Sequence, residues 1–323
     1  MAGSDANDPV ARLKHTSNGE GEEETRPRAV GEPTVAPTVV FLHIGKTAGS
    51  TLRQVIRRNY RSAEILKAQR PGGPREASLE DFARISESRR AAARLVMGHT
   101  IFGVHESVPG PATYVTVVRD PVKLVLSQYR FVLRRPYHRF HQRVTSEGMG
   151  LADYIQSGMS IEVDNGQTRA IAGDTSTPFG QCTEDMLRRA KRNIEEYFSV
   201  AGLTERFDET LLLFREALGW THLCYVRANV APDRSSSNLP TEAAALIEEH
   251  TALDRELYGF VRQRFEAALA EVPDFDRKLH RYRRMNALYR PWGLLTQALP
   301  KQMILKIRGK ESAVGPTPRP QKP

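Results

Sequence analysis

The chain has 323 residues, 40% of them hydrophobic and 26% charged, with 47 Lys and Arg against 38 Asp and Glu for a formal charge of +9. Those proportions fit a soluble globular protein with one sizeable core, and no apolar run of about 18 residues offers a transmembrane helix. No apolar segment follows a basic start as in a secretory signal peptide, and Cys182 and Cys224 alone can build neither a disulfide framework nor a zinc site. A reducing, cytoplasmic setting is expected. A pI near 9.7 raises the question of nucleic acid. The charge is unevenly spread, however: residues 1–37 carry −3, residues 277–323 carry +11, and the body between them carries only +1. No nucleic-acid partner is therefore expected of the body.

Residues 1–37 are rich in Gly, Pro, Glu and Ser/Thr without apolar periodicity, and they read as a disordered arm. From Thr38 an apolar run, Val39-Val40-Phe41-Leu42 and Ile44, has the length of a buried strand. A small-residue loop follows, then a helix over Thr51–Tyr60. Further strands are predicted at Leu95–Met97, Tyr114–Val118 and Phe198–Leu203. Helices are predicted after Asp120, over Leu187–Tyr197 and over Phe207–Leu218, with a long amphipathic stretch from Thr241 to Leu269 broken near Gly259. Strands alternating with helices predict an α/β domain over 38–276, a P-loop-like and mostly parallel sheet flanked by helices on both faces. Residues 277–323 form a basic C-terminal extension, disordered at 309–323.

Two segments carry the chemistry of phosphate binding. The first is His43-Ile44-Gly45-Lys46-Thr47-Ala48-Gly49-Ser50-Thr51-Leu52, between a strand and a helix. Small residues let backbone N–H groups approach an anion, the helix N-terminus adds its dipole, and Lys46 adds a point charge. Thr47, Ser50 and Thr51 offer hydroxyls. A Walker A loop would need glycine at position 40, where Val40 stands, so the spacing is not that of ATP and GTP enzymes. The second is Tyr114–Val118 followed by Arg119-Asp120-Pro121. Arg119 ends a strand, Asp120 can cap the next helix with Pro121 in its first turn, and Ser127 lies two turns along it. An arginine fork and a serine hydroxyl can grip one phosphate from two sides.

Together these segments resemble the 3′-phosphoadenylylsulfate (PAPS)-dependent sulfotransferases, closest to the carbohydrate group that includes the heparan sulfate 2-O- and 6-O-sulfotransferases (sulfotransferase family 2). The likeness rests on HIGKTAGST and RDPVKLVLSQY. It continues through Gly98-His99, Asp164-Asn165-Gly166-Gln167-Thr168-Arg169, Gly202-Leu203-Thr204-Glu205-Arg206-Phe207 and Leu253-Asp254-Arg255-Glu256-Leu257-Tyr258. Gly45 stands where that group usually has proline and Ala48 where it usually has glycine. No N-terminal membrane span is evident, unlike its Golgi members.

The resemblance implies transfer of a sulfuryl group from PAPS to a hydroxyl of a carbohydrate or glycoconjugate, with no metal. It assigns Lys46, Thr47, Ala48, Gly49, Ser50 and Thr51 to the 5′-phosphate end of the cofactor, and Arg119 and Ser127 to the 3′-phosphate. Lys46 is also expected to steady the charge of the leaving group. His99 is expected to be the base, as an imidazole at the end of a strand beside the loop, with His105 and Glu106 as substitutes. His43 is expected to order the loop or fill the core. Asn165, Gln167, Thr168 and Arg169 either contact a ligand or satisfy their own helix start. Arg234-Ser235-Ser236-Ser237 reads as a surface loop, and the basic run at 188–192 as a solvated face. The basic and apolar segment Arg281–Lys310 can lie on an anionic membrane such as the inner membrane surface, recruit an acidic polysaccharide, or pack on the body. Two other functions compete: an NTP-dependent kinase, and a catalytically silent sulfotransferase-like module that binds membrane or polyanion through its tail.

Overall fold

The computed structural model describes residues 36–67, 82–227 and 239–295. The expected arm, apart from its last two residues, the loop at 234–237 and the expected disordered end at 309–323 lie outside the described residues. Five strands, β1 (Thr38–Leu42), β2 (Ile65–Lys67), β3 (Leu95–Gly98), β4 (Ala112–Val118) and β5 (Phe198–Leu203), form one sheet in the order β2-β3-β1-β4-β5. All pairings are parallel. Every residue of β1 is buried, which is why its sequence is a continuous apolar run rather than an alternation.

Helices flank the sheet, giving the expected α/β architecture. They are α1 (Gly49–Asn59), α2 (Glu87–Ala91), α3 (Pro121–Leu133), α4 (His141–Ser146), α5 (Leu151–Gln156), α6 (Gly166–Ala172) and α7 (Glu184–Tyr197). Then come α8 (Phe207–Leu218), α9 (Thr241–His250), α10 (Ala252–Ala270) and α11 (Phe275–Gly293). The main core lies between sheet and helices and includes Val40, Leu42, Leu52, Val55 and Ile56. Burying each such side chain contributes roughly 1.5–3 kcal/mol. A second core, around Val125, Val132, Tyr154, Ile155, Val163 and Ile247, knits α3, α5 and α9 together.

Several elements differ from expectation, for local reasons. The long C-terminal stretch breaks at Thr251, not near Gly259. The Thr251 hydroxyl donates to the Ile247 carbonyl at 2.6 Å and ends α9, while Gly259 sits exposed inside α10. β2 escapes the sequence because only Ile65 and Leu66 are buried there, too short an apolar run to detect. α4 and α5, at six residues each, likewise give no sustained periodicity. α11 runs across the expected boundary at residue 276.

The strand order fixes where a ligand can sit. From β1 the chain builds β2 and β3 on one side, then crosses to β4 and β5 on the other. The reversal of direction falls beside β1, and in open parallel sheets ligands bind in the crevice at the carboxyl ends of such strands. Leu42 at the end of β1 pairs with Gly98 on β3 and Thr116 on β4. The segments that follow these three strands therefore emerge side by side: the 43–51 loop, His99 and Arg119.

Candidate active site

The loop after β1 turns sharply into α1. Lys46 and Ala48 both adopt left-handed backbone, with φ of 66° and 61°. This geometry turns successive amides toward one side, the arrangement from which anion-binding nests are made. The N-terminus of α1 has no side-chain cap and no acidic residue in its first turn. Thr51 and Leu52 donate their amides to the Ala48 carbonyl at 2.9 and 3.1 Å. Gly49 must be glycine: a Cβ there would stand 1.7 Å from Nε2 of His43. Thr47 is fully buried and its hydroxyl donates to the Ile44 carbonyl at 2.9 Å, so in this structure that hydroxyl shapes the loop. Ser50 is exposed at the helix start and Thr51 is buried within it.

Arg119 joins the two segments expected to bind phosphate. Its Nη1 donates to the Lys46 carbonyl at 2.9 Å. The Arg119 backbone is clamped on both sides by the Gln167 amide, which accepts its N–H at 2.8 Å and donates to its carbonyl at 2.9 Å. The next residue behaves as predicted: Asp120 caps α3 by accepting the Lys123 amide at 2.9 Å, with Pro121 in the first turn. Glu205 then accepts the Asp120 amide and the Tyr258 hydroxyl, each at 3.2 Å, and Thr204 donates its amide to the Val118 carbonyl at 2.8 Å. The motifs carrying Gln167, Glu205 and Tyr258 thus converge on one turn and hold its arginine in place. Ser127 stands half-buried on α3, the helix into which Arg119 leads.

The charge around the loop is strongly positive. Burial, then the guanidiniums of Arg134, Arg119 and Arg135, pull the Lys46 ammonium down from its usual 10.5 to about 8, and Glu162 opposes them. Its Nζ lies 3.9 Å from the centre of the Phe131 ring. Arg134 and Arg135 follow directly on α3, and sequence reasoning missed them because a basic pair after a helix resembles any solvated end.

Beside the loop opens a cleft whose lining includes His43, Gly45, His99, Gln128, Glu162 and Arg169. The His99 and His43 rings stand 4.3 Å apart, and Phe41 stacks on His43 at 5.3 Å. Burial first, then His99, Arg53 and Lys46, hold the His43 imidazole well below the usual histidine range, so it is neutral at pH 7. His43 orders the loop as expected, through its contact over Gly49, but it also lines the cleft. The substitute bases are elsewhere. His105 bonds through Nδ1 to the Tyr114 hydroxyl at 3.0 Å and packs between Phe102 and Tyr197, and neither it nor Glu106 lines the cleft. The carboxylate that does line it is Glu162, which the sequence did not reveal. Its short helical turn Ile161–Val163 is anchored by Val163 in the second core, and its Oε2 accepts from the Gln128 amide.

The cluster at 165–169 mainly satisfies its own chain. Asp254 accepts the amides of Gln167 and Thr168 at the start of α6, and the Thr168 hydroxyl as well. Asn165 returns the favour by accepting the amides of Leu253 and Asp254 at the start of α10, at 2.9 and 3.1 Å. Arg169, almost fully buried, pairs with Asp164 and donates to the carbonyls of Thr177 and Pro178. Gln167 reaches the candidate site through Arg119, and Gly166 and Arg169 line the cleft wall.

Comparison with known proteins follows the same lines. The family model for galactose-3-O-sulfotransferase matches residues 10–289. Galactose-3-O-sulfotransferase 2 of Mus musculus is 25% identical over 258 residues, 74% of this chain and 64% of that protein. Galactosylceramide sulfotransferase of Homo sapiens is 26% identical over 254 residues, 71% of this chain and 57% of that protein. Galactose-3-O-sulfotransferase 3 of Bos taurus is 24% identical over 261 residues, 73% of this chain and 58% of that protein. The chain spans less than two thirds of the length of these relatives. They are named for galactose, not for heparan sulfate, so the narrower of the two likenesses read from the motifs does not carry over.

Proposed function

The chain belongs to the galactose-3-O-sulfotransferase family, and on that premise we propose that it moves a sulfuryl group from PAPS to a hydroxyl of a galactose-bearing carbohydrate or glycolipid. The observation that carries this reading is the bond from Arg119 to the Lys46 carbonyl, which joins two anion-binding segments at the carboxyl ends of adjacent strands. The donor set suits a small polyanion with phosphates at both ends. At one end stand the uncapped start of α1 and the Lys46 ammonium, and at the other Arg119 with Ser127. When bound, PAPS supplies the sulfuryl group together with its phosphate leaving group. Lys46, Gly49, Ser50 and Thr51 would hold the 5′ end, with Thr47 and Ala48 shaping the loop around it, and Arg119 and Ser127 would hold the 3′-phosphate. Fixed cations where negative charge develops act with little reorganisation, so Lys46 supports both binding and departure.

The acceptor would enter the cleft on the other side of the loop. There His99 takes the proton of the attacking hydroxyl, and the neutral ring of His43 packs against it. Glu162, held by Gln128, faces the same space. The test is calorimetry with 3′-phosphoadenosine 5′-phosphate together with turnover of labelled PAPS on galactose-terminated acceptors. His99→Ala is expected to lower turnover roughly 10²–10⁴-fold and to leave nucleotide affinity unchanged. Failure of the wild type to bind the nucleotide overturns the reading. Unimpaired turnover in His99→Ala transfers the role of base to Glu162. Binding without turnover on any galactose acceptor returns the silent module to favour.

A further inference from the structure

The C-terminal helix has an inner and an outer side. Its inner side is fixed to the domain by buried Leu279, Tyr282 and Asn286. The Tyr282 hydroxyl donates to the Leu223 carbonyl at 3.2 Å, and Asn286 accepts the Tyr225 amide at 2.8 Å. Two of its cations are also engaged there: Arg283 with Asp208 and Glu209, and Lys278 with Glu216. The outer side is different. At 3.6 residues per turn, Arg281, Arg284, Met285, Leu288 and Trp292 fall within an arc of about 100°, while Arg277 at the start of the helix pairs with Asp274. On that arc Leu288 is 82% exposed, Trp292 58% and Met285 48%, and Leu295, just past the helix, is 65% exposed. The arginines occupy the first half of the stripe and the apolar residues the second.

We propose that this outer face of α11 docks on an anionic lipid bilayer, an interaction that goes beyond the transfer reaction and does not depend on it. Charge selects the partner. From residue 277 to 310 the chain has no Asp or Glu and ten Lys or Arg. A second copy of the same face would bring like charges together. The residues that follow, with Lys301, Lys306, Arg308 and Lys310 among Leu299, Met303, Ile304, Leu305 and Ile307, repeat its composition instead of complementing it. A polyanion in water would use the arginines but leave Leu288 and Trp292 wet. An acidic membrane surface answers both halves: lipid headgroups meet the guanidiniums, and the leucines and the indole enter the interface.

The test is flotation of the full chain with vesicles of phosphatidylcholine alone and of phosphatidylcholine with phosphatidylserine. Binding is expected to the acidic vesicles, weakened by salt and at least tenfold weaker on neutral ones. Leu288→Glu with Trp292→Glu, and separately Arg281→Glu with Arg284→Glu, should each reduce it at least tenfold while melting temperature and nucleotide binding stay at wild-type values. The proposal is overturned if the wild type does not float with acidic vesicles, or if both double variants bind as well as it does. Two other results also overturn it: a wild-type dimer that the variants dissociate, which assigns the face to a second copy, and retention on heparin without vesicle binding, which assigns it to an acidic polysaccharide.

Discussion

Two helix starts in this protein share a backbone form and are used in opposite ways. At Gly166 and at Gly49 a left-handed residue, Asn165 or Ala48, leads into a helix that opens on glycine. The start of α6 is closed: its amides go to Asp254, whose own helix start is capped by Asn165, and Arg169 beside it is paired with Asp164. The start of α1 carries no side-chain cap and no acidic residue in its first turn, and Lys46, Arg119, Arg134 and Arg135 gather around it. The first cluster completes the fold from within. The second brings like charges together at a desolvated place, which costs stability unless an anion arrives.

Breaking each cluster should therefore give opposite results. Asp164→Ala removes the partner of a buried guanidinium as well as the acceptor for the Gly180 amide, and breaking a buried pair in this way typically costs about 3–5 kcal/mol. Chemical denaturation should register that loss, and at temperatures where the variant is folded the nucleotide should bind with affinity close to wild type. Lys46→Ala should do the reverse. A charge-assisted hydrogen bond is worth roughly 1.5–3 kcal/mol, so affinity for 3′-phosphoadenosine 5′-phosphate should fall about 10- to 150-fold. The melting temperature should hold or rise, because a desolvated cation has gone.

The same lysine gives the comparison a pH axis. Lys46 titrates near 8 in the free protein, below its usual 10.5. Its folded pKa is the lower one, so the free protein sheds this destabilisation as pH rises from about 8 toward 10.5. The anion-bound form needs the charged lysine, and its affinity should fall by up to about tenfold per pH unit above 8. Calorimetry between pH 7 and 9.5 checks this, and Lys46→Ala should flatten the profile. A steep profile in Lys46→Ala would assign the titration to another group.

How much of this could be read beforehand depended on the range of each interaction. β1, β5, α8 and the cap at Asp120 were legible because burial and capping are local and leave their mark within a few residues. His99 was legible beside the loop because it ends a buried apolar run and matches the histidine of the resembled pattern, and β1 and β3 do end level with each other. Glu162, Arg134 and the exchange of caps between Asn165 and Asp254 were not legible. Each depends on a contact across the chain: Glu162 reaches the cleft because Val163 is buried in the second core, and Asp254 meets Thr168 from 86 residues away. His105 lies off the cleft for the complementary reason, since its loop follows the right strand but turns to the Tyr114 hydroxyl.

The smallest expected effect tests the geometry of the open helix start most directly. Ala48 is the residue before α1, held at φ 61° while its carbonyl accepts the amides of Thr51 and Leu52. A side chain in the left-handed region costs roughly 1–2 kcal/mol, which explains in physical terms why glycine is usual at this position in the proteins the loop resembles. Replacing Ala48 with glycine removes that cost but adds freedom to the unfolded chain, worth about 0.4–1 kcal/mol in the other direction. The balance is a gain of about 0.5–1 kcal/mol, or a rise of about 2 °C in melting temperature for a domain of this size. Lys46 bears the same strain at φ 66°, but changing it also removes the cation, so only position 48 separates strain from charge. Nucleotide affinity in Ala48→Gly should stay within about twofold of wild type. A variant that melts lower would mean that the loop does not hold its left-handed turn at position 48, and the open helix start would then lose the nest on which its contrast with the closed one depends.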